Sequence, residues 1–228
     1  MGKKRILCLA NSKKMAGRCI AGREVIGGAP GPWVRPVSER PTEEISEYER
    51  QYPDGSDPRV LDIIDVPLER HHPHACQTEN WLIQAEEYWA KVGQAGWRDA
   101  VAFVETPQTL WHNGESSYHG LNDRVEVSVA DRLPHSLHLI HVNRIELKIF
   151  APGANFGNPK RRVQAKFEYR GVQYWIWVTD PYIEREYLAR ENGVYTLGDS
   201  LICVSLGEPF EGFRYKLAAT IIQRALVQ

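Results

Sequence analysis

The chain contains a short series of apolar segments twice, and this repeat limits what it can fold into. The matched pairs are residues 33–37 (Trp-Val-Arg-Pro-Val) with 177–181 (Trp-Val-Thr-Asp-Pro), Leu61–Val66 with Leu201–Leu206, and Asn80–Ile83 with Ala219–Ile222. From the tryptophan to the following leucine there are 28 residues in the first copy and 24 in the second. Each unit spans about 80 residues, which is too long for a solenoid repeat and suits a small β domain.

The composition is that of a globular protein, with 43% hydrophobic and 25% charged residues. No apolar run approaches the roughly 20 residues needed to cross a bilayer, and Ile6–Ala10 is shorter than the core of a signal peptide. The cysteines Cys8, Cys19, Cys76 and Cys203 form no CxxC pair, so a disulfide framework is not expected. The sequence therefore predicts a cytoplasmic protein that does not enter a membrane.

The charge is arranged in patches, although the net charge is only −1. Residues 1–36 carry eight lysines and arginines against the single acid Glu24, whereas residues 39–69 are strongly acidic. A second basic cluster, Lys160–Arg162, lies at the start of the second copy of the repeat. A chain with this balance does not coat nucleic acid over its whole surface, but its basic patches can bind phosphates locally.

The first unit, residues 1–83, alternates short apolar segments with turns. The predicted strands are Ile6–Ala10, Arg18–Val25, Trp33–Val37, Val60–Val66 and Asn80–Ile83. Pro36 suits an edge strand, because proline has no N–H to donate. The connection that follows, residues 84–135, contains two segments of helical composition, Ala85–Val92 and Trp97–Val104.

The second unit, residues 136–228, has a clearer β pattern. Its predicted elements are an alternating segment at His138–Phe150, a hairpin of Val163–Tyr169 and Val172–Val178, a helix at Pro181–Asn192 capped by Asp180, and strands at Leu201–Leu206 and Tyr215–Ile222. Strand, hairpin, helix and two further strands is the order of a five-stranded OB-type barrel. We therefore predict a mainly β protein with two OB-like β-barrels, related by tandem duplication and joined by a short helical linker.

Several segments resemble the bacterial dual OB-containing domain proteins. They are Ile6–Lys14, Gly17–Gly22, Trp33–Ser38 and Ser116–Val125. The resemblance covers nearly the whole chain. It implies two OB-like barrels and a nucleic-acid-binding role in bacterial stress or defence systems, and it carries over no catalytic residue.

Basic and aromatic residues supply the candidate binding sites. Asn11–Gly17, predicted as a loop between two strands, could hold phosphates through its backbone N–H groups and its lysines, but it lacks the GxxxxGK[ST] pattern of a P-loop. On Val172–Val178, alternation places Tyr174 and Ile176 in the core and leaves Trp175 outside, where it could stack on a base. The predicted nucleic-acid-binding residues are Asn11, Ser12, Lys13, Lys14, Arg18, Arg23 and Arg35 in the first barrel, and Lys160, Arg161, Arg162, Lys166 and Trp175 in the second.

Two other clusters contain side chains that can bind metals. His71–Cys76 offers three imidazoles and a thiol, but the spacing fits no standard zinc pattern, and a polar loop is the favoured interpretation. Asp62 and Asp65 could bind Mg²⁺, yet their spacing places them on opposite faces of a regular strand. No hydrolase, metalloprotease or dinucleotide-binding motif is present. We expect no catalytic residue, cofactor or metal.

The sequence thus predicts a non-catalytic module that binds single-stranded DNA or RNA as an accessory to another protein. Two alternatives remain open: a protein–protein adaptor that uses the acidic segment 39–57, and an enzyme that binds a nucleotide-like ligand at the domain boundary. The two units share their apolar strands but not their polar loops. The first barrel, which contains Asn11–Arg18, is therefore expected to carry the function.

Overall fold

The computed structural model describes residues 2–227, which fold as two compact units built mainly of β-strands. The first unit contains the residues up to Phe103 together with Pro134–Ser136. The second contains Val104–Leu133 and the residues from Leu137 onward. Each unit holds one sheet, as predicted for a mainly β protein. Within residues 2–227, no helix combines the length and the apolar character required to cross a membrane.

The first sheet closes into a five-stranded barrel. Its elements are β1 (Gly2–Lys14), β2 (Gly17–Ile26), β3 (Ala29–Val37), the short helix α1 (Glu47–Arg50), β4 (Asp62–His71), β5 (Asn80–Ile83) and an added strand β6 (Ala90–Gln94). The strands follow the order β1-β2-β3-β5-β4, and β4 pairs back with β1. The β3–β5 pair is parallel and the other pairs are antiparallel. This closed order, with a helix between the third and fourth strands, is that of an OB barrel.

Alternating apolar residues of the strands fill the interior of the first barrel. Ile6 and Cys8 of β1 face inward, as do Ile64, Val66 and Leu68 of β4. This spacing of two is the side-chain period of a strand, so one face of each strand is buried. Ser46 caps the helix α1, because its hydroxyl accepts a hydrogen bond from the Glu49 N–H in a capping box.

The second sheet has the same topology, with two of its strands broken into halves. The helix α2 (Trp97–Val101) follows β6 and belongs to the first unit. The elements of the second unit are β7 (Arg124–Glu126), α3 (Val127–Ala130), β8 (Leu137–Val142), β9 (Ile145–Phe150), β10 (Arg162–Tyr169), β11 (Val172–Val178), α4 (Pro181–Leu188), β12 (Gly193–Leu197), β13 (Ser200–Phe210) and β14 (Phe213–Gln223). The pairing of β8 with β13 continues in the same register as the pairing of β9 with β12. The β8–β9 and β12–β13 segments thus act as the first and fourth barrel strands. The pair β11–β14 is parallel, like β3–β5.

The segments that recur in the sequence lie on equivalent strands of the two barrels. Trp33 lies on β3 and Trp177 on β11, although residues 179–181 of the second tryptophan segment lie beyond the end of β11. The leucine segments lie on β4 and β13, apart from Leu61, and the third pair lies on β5 and β14. The β10–β11 hairpin is confirmed, with Arg170 and Gly171 both at positive φ, 49° and 77°, as a two-residue turn of this type requires. The cap of α4 is also confirmed, because the Asp180 carboxylate accepts hydrogen bonds from the N–H groups of Tyr182 and Ile183.

Some local predictions were wrong. The predicted loop Asn11–Gly17 is mostly strand, because β1 runs to Lys14 and β2 begins at Gly17, leaving a two-residue turn. Pro36 is not on an edge strand, since β3 pairs with both β2 and β5. The β2 ladder reaches only Val34, so the missing N–H of Pro36 breaks no hydrogen bond of that ladder.

The helical linker is only partly present. Ala85–Val92 was predicted as a helix, but the segment leads into β6, which pairs with β4. Trp89 is fully buried in the first barrel, and this packing outweighs the helical composition of its neighbours. The second predicted helix is confirmed as the shorter α2. The helix predicted at Pro181–Asn192 ends at Leu188, because β12 begins at Gly193 and pairs with β9.

Candidate functional site

In the first barrel, the predicted binding residues around the β1–β2 turn are only partly available. Lys13 is exposed, whereas the Lys14 ammonium lies 3.9 Å from the Glu43 carboxylate. Asn11 donates its side-chain N–H to the Pro58 carbonyl at 2.7 Å, and Ser12 is buried. Arg18 is half-buried, and its backbone bridges to the segment before α1. The turn therefore presents fewer cations than the sequence suggests.

On the outer side of β2 and β3, Arg23 and Arg35 are engaged with other residues of the same unit. Arg23 donates to the carbonyl oxygens of Gly31, at 2.8 Å, and Phe103, at 3.2 Å. Arg35 is only 3% exposed, and its guanidinium lies 3.1 Å from the Glu79 carboxylate and 2.8 Å from the Ser136 hydroxyl. Both guanidinium groups therefore bond partners within the unit rather than facing a free surface.

The equivalent outer face of the second barrel carries both aromatic and charged residues. It is accessible around Glu168, Gln173 and the half-buried Trp175, whereas Gln164 and Trp177 are buried against the segment around His119. We call this outer face the β9–β11 face, and its members are Glu146, Lys148, Phe150, Arg162, Gln164, Lys166, Glu168, Gln173, Trp175 and Trp177. The alternate residues of the same strands, such as Leu147, Ala165 and Ile176, point into the barrel and are fully buried. The period of two thus assigns these side chains to the outer side.

Each of the three strands of the β9–β11 face contributes to a cation–aromatic pair. The Lys148 ammonium lies 4.5 Å from the centroid of the Phe150 ring. The Arg162 guanidinium lies 4.0 Å from the Trp177 ring, and the Lys166 ammonium lies 3.6 Å from the Trp175 ring. Burial lowers the pKa of Arg162, and burial together with the nearby charge of Lys148 lowers the pKa of Lys166. These cations are partly desolvated, which strengthens their interaction with an approaching anion.

A second aromatic group adjoins one end of this face. The His119 ring packs edge-on against Phe150 and Trp177, whose own rings are stacked with centroids 5.8 Å apart. Gln164 on β10 holds this segment in place by donating to the His119 carbonyl at 2.7 Å. The neighbouring Tyr118 is 89% exposed. The exposed Tyr118 ring therefore lies next to the cluster formed by His119, Phe150 and Trp177.

Sequence reasoning missed Lys148, Phe150 and Tyr118. Lys148 and Phe150 alternate with the apolar residues of His138–Phe150, so their outward orientation was readable from that pattern. No pattern in the sequence places Tyr118, because it lies in an irregular segment.

The basic cluster at Lys160–Arg162 divides into separate roles. Lys160 is exposed in the loop between β9 and β10, and Arg162 belongs to the β9–β11 face. Arg161 instead donates to the carbonyl oxygens of Leu188 and Arg190 and to the side chain of Asn192. An arginine at this place satisfies the carbonyl groups left free at the end of α4, which is a structural role.

The other clusters named from the sequence do not assemble into a common site. Asp62 is buried, with its carboxylate 2.6 Å from the Lys91 ammonium and 3.0 Å from the Tyr52 hydroxyl, whereas Asp65 points outward and pairs with Arg5. The expected placement on opposite faces is confirmed. In the His71–Cys76 segment, the His71 ring packs at a tilt against the Trp81 ring, and Cys76 is buried. Among residues 2–227, no three His, Cys, Asp or Glu side chains are grouped in a way that could hold a metal ion.

Lys216 of β14 is a buried cation that the sequence did not single out. Its ammonium donates to the His112 carbonyl at 2.7 Å and to the Asn113 side-chain oxygen at 3.0 Å. Burial lowers the pKa of Lys216 to about 7, although the charge of Asp123 opposes the shift. The amine therefore fastens the segment around residue 112 to β14 within the second unit.

This lowered pKa predicts how stability depends on pH. Because the unfolded lysine keeps a pKa near 10.4, the unfolded chain binds more protons than the folded chain between about pH 7 and pH 10. Stability due to Lys216 is therefore expected to rise with pH, by about 2 kcal/mol from pH 7 to pH 9. Urea unfolding of the wild type and of Lys216→Met at both pH values measures this difference. A gap between the two proteins that stays constant with pH would contradict the prediction.

Comparison with known proteins agrees with the topology. The chain matches the family described as the dual OB-containing domain over residues 4–221, which is nearly its whole length. Neither the curated proteins nor the solved structures contain a significant match. The match covers both barrels, including the strands that carry the β9–β11 face. The chain belongs to the dual OB-containing domain family.

Proposed function

We propose that the protein binds single-stranded nucleic acid through the β9–β11 face of its second barrel. The observation that carries the proposal is the set of three cation–aromatic pairs on this face, Lys148 with Phe150, Arg162 with Trp177, and Lys166 with Trp175. OB barrels that bind oligonucleotides use the face of their second and third strands, which here are β10 and β11. Cations that follow the phosphates and rings that stack on bases are the two parts of such a site.

The rings favour a single strand over a duplex. Stacking on Trp175 requires the flat face of a base, which is covered by neighbouring bases inside a double helix. Lys166 now lies over the Trp175 ring, and a base that stacks there takes the place of the ammonium. The lysine side chain is long and flexible, so the displaced ammonium can turn to a phosphate of the same strand.

The first barrel has a supporting role in this proposal. Its equivalent face is covered around Arg23 and Arg35, so these two residues are left out of the proposed site. Lys13 and Arg18 remain as additional phosphate contacts beside the β1–β2 turn. The expectation that the first barrel carries the function therefore gives way to a proposal centred on the second.

The adaptor alternative is weakened by the pairing of the acidic segment. Glu49 pairs with Arg40 at 2.6 Å, Asp57 pairs with Arg50 at 2.8 Å, and Glu43 lies near Lys14. These ion pairs reduce the negative charge that segment 39–57 could offer to a partner. The proposal assigns no catalytic step to the protein. As the family resemblance implies, it would act as an accessory in a bacterial stress or defence system.

Charge reversal on the face tests the electrostatic part of the proposal. Lys148→Glu is expected to weaken binding of a fluorescent 20-nucleotide thymidine strand about tenfold at 100 mM salt. The variant should also make the log–log dependence of affinity on salt less steep by about 0.7, the contribution of one phosphate contact in a single strand. Fluorescence anisotropy between 50 and 300 mM salt gives both values.

A matched control keeps the test specific. Arg98→Glu reverses an exposed cation on α2, outside the proposed site, and is expected to retain both the affinity and the salt slope. Equal weakening by both variants would indicate a general effect of net charge. Binding of the wild type that does not change with salt, or that is tighter for duplex than for single strands, would contradict the proposal.

A further inference from the structure

A cleft beside Trp175 forms one end of the β9–β11 face. It has a volume of about 380 Å³, within the range of cavities that hold small ligands. Trp175 and Lys166 lie on one side of it, and Glu146, Glu168 and Gln173 line the rest together with Arg144. The strand register explains the arrangement, because Glu146, Lys166 and Trp175 lie side by side across three strands and Glu168 lies opposite Gln173 in the adjoining row.

The polar groups of the cleft differ from those of the rest of the face. Glu146 and Glu168 carry carboxylates, which only accept hydrogen bonds when ionised. Arg144, whose guanidinium lies 2.9 Å from Glu146, only donates. Gln173 can do both. The cleft therefore offers two carboxylate acceptors, two cationic donors in Arg144 and Lys166, and one amide around an aromatic surface.

Among the bases, guanine fits this set best. Its Watson–Crick edge presents two adjacent donors, N1–H and the 2-amino group, which one carboxylate can accept together. Its O6 and N7 atoms are the acceptors that an arginine binds most often. Adenine and cytosine offer a single amino group, and thymine or uracil offers one N–H between two carbonyl acceptors. We propose that the Trp175 cleft binds a guanine base of the strand held by the β9–β11 face, an inference that rests on the proposed function.

The charges on the face also orient the bound strand. Glu146 and Glu168 repel phosphates. Lys148 and Arg162 attract them at the other end of the face, where Arg162 lies opposite Phe150 and Lys148 lies opposite Gln164. A strand on this surface therefore runs its backbone past Lys148 and Arg162 and turns a base into the cleft. There the base stacks on Trp175 and its polar edge faces the carboxylates.

The test compares strands that differ at one base. Fifteen-nucleotide thymidine strands with a single central guanine, inosine, adenine or cytosine, and the all-thymidine strand, are titrated by fluorescence anisotropy. The guanine strand is expected to bind about tenfold more tightly than the all-thymidine strand, the size of one good bidentate base contact. Inosine, which lacks the 2-amino group, should fall between them. Guanosine monophosphate is titrated separately, to distinguish a free nucleotide from a base within a strand.

Two variants test whether the carboxylates of the cleft cause the preference for guanine. Glu168→Gln and Glu146→Gln each remove a negative charge and so raise affinity for every strand, which makes the ratio of guanine to thymidine affinity the readout. That ratio is expected to fall toward one in Glu168→Gln and to decrease in Glu146→Gln. Glu126→Gln neutralises an exposed carboxylate on β7 and should leave the ratio unchanged.

The outcomes separate this inference from the proposed function. Salt-dependent binding of all strands with equal affinity would overturn the guanine cleft and leave the proposed function standing. Binding of guanosine monophosphate with no binding of any strand would support a guanine cleft and overturn the proposed function. Binding of neither would overturn both. A guanine preference that both cleft variants retain would also overturn the assignment to Glu146 and Glu168.

Discussion

Trp175→Ala is expected to weaken binding of single-stranded nucleic acid by about 1–3 kcal/mol, which is roughly 5- to 150-fold in the dissociation constant. The ring lies half-buried on the outer side of β11, and its removal deletes both a stacking surface and the aromatic partner of Lys166. The opposite side of the strand, where Tyr174 and Ile176 fill the core, is untouched. The loss should therefore appear in binding and not in folding.

The measurement is a titration of a labelled thymidine strand by fluorescence anisotropy, with near-ultraviolet circular dichroism as the check on folding. Trp175→Phe keeps a stacking surface and is expected to recover much of the lost affinity. Tyr48→Ala removes an exposed ring of the first barrel and should leave binding unchanged. If Trp175→Ala bound with wild-type affinity, the proposed stacking of a base on Trp175 would be wrong. An equal loss of affinity in Tyr48→Ala would mean that the effect is not specific to the β9–β11 face.

The fold could be predicted from the sequence because its strongest signals are local. The β10–β11 hairpin needed only alternating residues and the Arg170-Gly171 turn, and α4 needed only Asp180 followed by proline. The repeat predicted that the two units share a fold, since its matched segments fall largely on equivalent strands. In the second barrel, the first strand is divided into β8 and β9, and the sequence carries no local signal for this division. The register that β8 and β9 share with β13 and β12 is set by pairing between distant segments.

The prediction of β6 as a helix failed for a related reason. The segment before it has helical composition, but Trp89 packs in the barrel core and the residues after it pair with β4. A side chain buried by distant strands can override local propensity, and a single sequence does not contain that information.

The candidate site could be predicted only in part, because equivalent positions of the two barrels have different neighbours. Trp175, Lys166 and Arg162 were readable from alternation and charge, and they lie together on one face. Arg23 in the first barrel corresponds to the buried Gln164 in the second, because each pairs with the tryptophan of the repeat. Its guanidinium bonds the Phe103 carbonyl, and Arg35 is enclosed with Glu79 and Ser136. The sequence shows which side of a strand a residue occupies, but it does not show whether another segment lies over that side.

Arg35→Ala is expected to destabilise the first unit by about 3–5 kcal/mol, the usual cost of removing one partner of a buried ion pair. The Glu79 side chain is only 2% exposed, and it would keep its charge without the guanidinium that lies 3.1 Å away. Ser136 is fully buried and would lose the donor to its hydroxyl, because Arg35 bonds it at 2.8 Å. Since a small domain is stable by only about 5–15 kcal/mol, a loss of this size should lower the urea midpoint strongly.

Two comparisons show whether the loss comes from the unpaired carboxylate. Arg5→Ala removes the arginine of a different ion pair of the same barrel, that of Arg5 with Asp65. This guanidinium is half-exposed, so water can solvate the remaining carboxylate and the effect should be much smaller. The double variant Arg35→Leu with Glu79→Leu replaces both charges and is expected to be more stable than Arg35→Ala. If Arg35→Ala costs no more than Arg5→Ala, the pair does not hold Pro134–Ser136 over β3.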